Sequence, residues 1–155
     1  MPAVGEVAPD FTLPDQDKEA VTLGHLRGRP VLLVFFPLAF SSTCQRELCA
    51  IRDDFSEYEA RGVTVLGVSV DSTYALRAWR REQAYAHRLL SDRWPLGQVI
   101  RRYGAWNEQK GYADRASFLL DDEGVIRWMV HNSPDDAREE AAYIRAIDGL
   151  VVGEP

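Results

Sequence analysis

The chain has 155 residues and a formal net charge of -6, with 46% hydrophobic and 27% charged residues. That composition fits one globular domain over 1-155 with a sizeable core, and excludes a disordered chain. The acidic balance and the scatter of the arginines exclude a nucleic-acid groove or an anionic membrane as the main partner.

The start, "MPAVGEVAPDFTLPDQD", has no basic head and no long apolar run. Neither a signal peptide nor a spanning helix is expected there, and the expected location is cytoplasmic. Thiols in that compartment stay reduced, so Cys44 and Cys49 read as redox-active or incidental residues rather than a structural staple.

"PVLLVFF", Pro30 to Phe36, is a continuous apolar run after Gly28 and predicts a strand buried on both faces. "VTVLGVSV", Val63 to Val70, predicts a second one. Between them Leu48, Ile51, Phe55 and Tyr58 recur at helical spacing, closed by Gly62. The unit is βαβ, which implies a parallel pair. A second helix is expected over Thr73 to Gln83, capped by Asp71 or Ser72. Ser91 to Gly111 reads as a short helix plus loops. "ASFLL" and "VIRWMV" predict two strands around the "DDEG" turn, and a final helix from near Pro134 buries Ile144, Ile147 and Val151. The element order gives an α/β fold, a mixed central sheet flanked by helices.

The helix after the first strand should start close to Cys44. Ser42 followed by Gln45 forms a capping-box pattern that places Cys44 in the first turn. Unpaired N–H groups and the positive end of the helix dipole there favour thiolate, the reactive form. A small buried hydrophobe is the plainer alternative for this cysteine.

"PLAFSSTC" resembles the peroxiredoxin signature of Pro, three residues, Ser or Thr, two residues, then the peroxidatic Cys, matched by Pro37, Ser41 and Cys44. "APDFTLPDQD", "LLSDRWP" and "DRASFLLDDEGVIRW" resemble the same family in order and spacing, from Gly5 to about Gly149. "FFPLAF", "CQREL" and "YGAWNEQKGYADR" are most similar to the alkyl hydroperoxide reductase E group.

The resemblance implies a thioredoxin-like fold and a thiol-dependent peroxidase acting on hydrogen peroxide and organic hydroperoxides. It makes Cys44 the nucleophile and Pro37 its shield from water. The Ser41 hydroxyl bonds thiolate and peroxide, and the Cys44 backbone N–H holds the second oxygen. Arg115 supplies the cation, oriented by Glu47. Thioredoxin, a glutaredoxin-like protein or a low-molecular-weight thiol would be the reductant, and a homodimer is compatible. No cofactor and no metal is implied.

Cys49 departs from the alkyl hydroperoxide reductase E pattern. "CQRELC" resembles the Q-type, bacterioferritin-comigratory branch, whose resolving cysteine lies five residues after the peroxidatic one. Three readings stay open: resolution by Cys49, a one-cysteine cycle with an external thiol, and a redox-sensing or chaperone module with poor turnover. A thiol-disulfide oxidoreductase would normally carry Cys-x-x-Cys. His25, His87 and His131 show no ligand spacing, and Trp94, Tyr103 and Trp106 read as core or interface packing.

Overall fold

The computed structural model describes residues 2–152. A small antiparallel hairpin, β1 (Thr12–Pro14) and β2 (Ala20–Thr22), leads through a 3-10 turn at Leu23–Leu26 to the first long apolar run. That run is β3 (Val31–Phe35), buried at every position as expected.

The helix that follows is in two pieces, α1 (Ser42–Asp53) and α2 (Phe55–Ala60), where the periodicity predicted one. The break falls at Asp54, whose φ of -105° and ψ of 18° leave the helical range. Beyond it the Tyr58 hydroxyl reaches across to Glu140 (2.5 Å), while Phe55 lies against His87. Two separate anchors thus pull this segment off the α1 axis.

β4 (Thr64–Ser69) pairs with β3 in parallel, from Val31 opposite Thr64 to Phe35 opposite Val68. α3 (Thr73–Gln83) is capped by Ser72, whose hydroxyl accepts from the Ala75 N–H. β5 (Arg88–Ser91) then adds a third parallel strand beside β4, inside a block given no element from sequence. The expected short helix is α4 (Gln98–Arg102), and β6 (Trp106–Asn107) and β7 (Tyr112–Ala113) form a second small hairpin.

β8 (Arg115–Leu120) pairs antiparallel with both β3 and β9 (Ile126–Asn132), closing a five-stranded mixed sheet in the order β5-β4-β3-β8-β9. α5 (Glu140–Val152) begins well after Pro134. The Pro134 carbonyl is drawn inward by the Arg115 Nε at 2.7 Å, and the Asp136 N–H turns back to the Ser133 carbonyl, so the stretch is a loop. Ile147 is buried as expected and Ile144 is half-buried, and the Val151 side chain lies outside the described residues.

Strand alternation divides the core between two faces. Val31, Leu33 and Phe35 point to the side covered by Val99, Ile100 and Tyr103 of the α4 region. Leu32, Val34 and Phe36 point to the other, with Leu48 and Ile51 of α1, Leu76 and Trp79 of α3, and Tyr143 and Ile147 of α5. Cys44 belongs to this second cluster. No helix among the described residues is long and apolar enough to cross a membrane.

Gly67 allows that second face to close. A Cβ there would stand 2.9 Å from Leu89 Cδ2 and 3.2 Å from Phe36 Cε1, with Leu48 of α1 next beyond. Gly67→Val is therefore expected to cost about 1–3 kcal/mol of stability by overpacking beneath α1. Urea denaturation with a reduced midpoint and unchanged slope would report it, and a wild-type midpoint would show that α1 is free to lift.

Candidate active site

The site lies where β3 hands the chain to α1. Ser41 has extended backbone angles (φ -69°, ψ 144°) and its hydroxyl accepts the Cys44 N–H at 3.3 Å. Ser41, and not Ser42, is the N-cap, so the expected Ser42–Gln45 box does not form. Gln45 instead turns its side chain to Trp79, whose Nε1 donates to Gln45 Oε1 at 3.2 Å. The expectation that Cys44 sits in the first turn holds. Its N–H, expected to be free for a peroxide oxygen, is given to Ser41, which leaves the Ser41 O–H as the available donor.

Arg115, the first residue of β8, crosses to this helix start. Its Nη1 donates both to Cys44 Sγ at 3.2 Å and to Glu47 Oε1 at 2.7 Å, and its Nε is held by the Pro134 carbonyl. Cys44 is 0% exposed and Arg115 3%. Glu47, one turn past Cys44 on α1, thus holds the same guanidinium nitrogen that faces the sulfur.

A second buried arginine completes the arrangement, and sequence reasoning missed it. Arg138 donates through its backbone N–H and Nε to Glu47 Oε2, at 2.7 and 3.1 Å, and through Nη2 to Oε1 at 2.9 Å. Its Nη1 reaches the Phe35 and Ala116 carbonyls and the Ser117 hydroxyl, which also meets the Tyr143 hydroxyl at 2.9 Å. Arg138 sits in "DDAREE", where a lone basic residue among acids reads as a solvated helix start. No local periodicity marks it as buried.

Burial by itself would raise the Glu47 pKa. The hydrogen bonds and charge of Arg138, followed by the charge of Arg115, outweigh that and hold it below its ordinary 4.5.

Pro37 is buried at the end of the strand, and the loop beyond it is clamped from β4. The Asp71 carboxylate takes the Ala39 N–H at 2.7 Å and the Ser69 hydroxyl at 2.6 Å. Cys49 is half-buried on the same helix as Cys44 and faces α3: its Sγ lies 3.5 Å from Gln83 Oε1 and 3.6 Å from the Tyr85 hydroxyl. Both cysteines are free thiols. Hydrogen bonds link Ser41 to Cys44, Cys44 to Arg115 and Arg115 to Glu47, while Cys49 looks away toward α3.

The histidines take no part. His131 pairs with Asp114 at 2.8 Å, and His87 is buried, its pKa pushed down to about 3 by desolvation and then by the Arg80 charge. Tyr103 packs in the core and Trp106 under Arg101, but Trp94 is 85% exposed and packs in no core. Among the described residues, no group of three or more His, Cys, Asp or Glu side chains is arranged to hold a metal ion.

A parallel βαβ unit carrying a cysteine at the helix start, on a thioredoxin-like sheet, defines a thiol-based redox protein. The AhpC/TSA family model matches residues 4–129, and the chain belongs to that family. It is 42% identical over 148 residues to alkyl hydroperoxide reductase E of Mycobacterium tuberculosis strain H37Rv, covering 95% of this chain and 97% of that one. It is 38% identical over 128 residues to peroxiredoxin Bcp of Escherichia coli K12, covering 79% and 81%. The crystal structure of Enterococcus faecalis AhpC superposes with a TM-score of 0.90 at 26% identity, over 99% of this chain and 96% of that one. The protein is a peroxiredoxin, a thiol-dependent peroxidase.

A carboxyl whose folded pKa is depressed stabilises the fold above its ordinary value, and that stability is lost as pH falls through the lowered folded value. Wild-type stability is therefore expected to fall as pH drops below 4.5. Glu47→Gln should be less stable at neutral pH by about 3 kcal/mol, since two buried guanidinium groups lose their counter-charge. Its stability should also change less steeply on acidification. Urea unfolding from about pH 3 to 7 would measure both, and parallel pH profiles would remove Glu47 as the cause.

Proposed function

We propose that Cys44 is the peroxidatic residue, with Arg115, Ser41, Pro37 and Glu47 in the roles implied by the family resemblance. The Cys44 sulfur attacks the terminal oxygen of a hydroperoxide, the O–O bond breaks, and the departing oxygen leaves as water or alcohol after taking a proton. Cys44 is left as a sulfenic acid. The observation that carries this reading is the Arg115 Nη1, which reaches the sulfur at 3.2 Å while Glu47 holds it at 2.7 Å. A permanently charged planar fork at that point supports both the thiolate and charge growing on the leaving oxygen.

Cys49 is proposed to resolve the sulfenic acid as a disulfide, which thioredoxin, a glutaredoxin-like protein or a low-molecular-weight thiol then reduces. Five residues of ideal helix separate the two Cα atoms by about 8 to 9 Å. A disulfide accepts at most about 7 Å. Resolution therefore needs part of α1 to unwind. The engagement of Cys49 with Gln83 and Tyr85 favours a second reading, in which an external thiol attacks Cys44 directly.

Cys44→Ser is expected to retain its fold and lose peroxidase activity, because a serine hydroxyl stays protonated. Turnover of hydrogen peroxide with each candidate reductant is the measurement, and substantial residual activity would sink the assignment. Arg115→Ala should slow oxidation of Cys44 by about 10²-fold in stopped flow, the range for removing one preorganised donor. An unchanged rate would mean that another group stabilises the transition state.

A further inference from the structure

Three side chains of α1, Gln45, Cys49 and Arg52, lie four and three residues apart and share one face of the helix. All three bond to α3 or to the residues just after it. Gln45 accepts from Trp79 Nε1 at 3.2 Å, and the Arg52 Nη1 donates to the Gln83 carbonyl at 2.9 Å. Between them the Cys49 thiol donates to Gln83 Oε1 at 3.5 Å, with the Tyr85 hydroxyl at 3.6 Å on its other side. Gln83 serves the stripe twice, by side chain and by main chain.

This stripe spans the part of α1 that a Cys44–Cys49 disulfide must unwind. We propose that Gln83 and Tyr85 are positioning residues for the second thiol, holding Cys49 against α3 and so setting how fast α1 opens for disulfide closure. The inference rests on the reading of Cys49 as the resolving residue. Tyr85 suits this role because burial, and then Cys49 itself, push its pKa far up, so the hydroxyl remains a proton donor to the sulfur.

The closing step needs no outside reactant. The S–S bond forms as the S–O bond of the Cys44 sulfenic acid and the S–H bond of Cys49 break. The hydroxyl leaves with the thiol proton as water. Cys49 sulfur is oxidised and Cys44 sulfur reduced to the disulfide level. For closure to occur, Cys49 must first give up both partners on the α3 side.

The test is to oxidise the reduced protein with one equivalent of hydrogen peroxide, quench at intervals, and follow Cys44 sulfenic acid and disulfide by mass spectrometry. Wild type, Gln83→Ala, Tyr85→Phe and Gln83→Glu are compared, with Cys49→Ser as the blank that cannot close. Each closure rate is divided by the oxidation rate of the same protein.

Gln83→Ala and Tyr85→Phe should each close about three- to tenfold faster than wild type, the range that losing one modest hydrogen bond allows. Gln83→Glu keeps an acceptor and should close no faster. Ile147→Val on α5, a destabilising change away from the stripe, should leave the ratio unaltered and so separates positioning from general loosening. Closure at the wild-type rate in both Gln83→Ala and Tyr85→Phe would overturn the proposal. A persistent sulfenic acid in every protein would instead overturn the resolving role of Cys49, and the positioning role with it. A disulfide seen only in Gln83→Ala or Tyr85→Phe would support the proposal most directly.

Discussion

One buried carboxylate organises this molecule. Glu47 receives hydrogen bonds from Arg115 and Arg138, and through them α1, β8 and the loop before α5 meet at a single point. Removing three charges from water is costly, and such a cluster persists only when nearly every donor and acceptor is matched. Here the matching is close to complete. Arg138 also satisfies main-chain carbonyls of β3 and β8, so the ionic cluster and the sheet hold each other in place.

That arrangement explains how a fully buried cysteine differs from an ordinary core cysteine. Most buried thiols face apolar neighbours and stay inert. Cys44 packs in such a cluster, yet its sulfur also faces a guanidinium whose position is fixed from two sides, by Glu47 and by the Pro134 carbonyl. The late start of α5 belongs to the same logic. Had the helix begun at Pro134, that carbonyl would have turned into the helix ladder and left Arg115 with one anchor fewer.

Elements with dense apolar signals were legible from sequence: β3, β4, α3, and the β8 and β9 hairpin all carry runs or periods that local physics reads directly. β5 was not, because only Leu89 and Leu90 give it an apolar core and its strand character comes from pairing with β4. The Asp54 break was hidden since Phe55 and Tyr58 keep helical spacing while serving different neighbours. At the site, Ser41 and Cys44 share a short segment that a motif can reveal. Glu47 and Arg115 stand 68 residues apart, and only resemblance to a family joined them. Arg138 had neither aid, for burial of a charge against carbonyls of distant strands leaves no periodic trace.

The bond from Trp79 to Gln45 makes the fold its own optical instrument. Trp79 is wholly enclosed among Phe36, Phe40 and Tyr85, and its indole N–H is tied to the first turns of α1. Uncoiling of those turns would strip the indole of its acceptor and admit solvent to the ring. The emission of this native tryptophan would then shift with the redox state of the helix, so its opening and reclosure could be timed without attaching a dye.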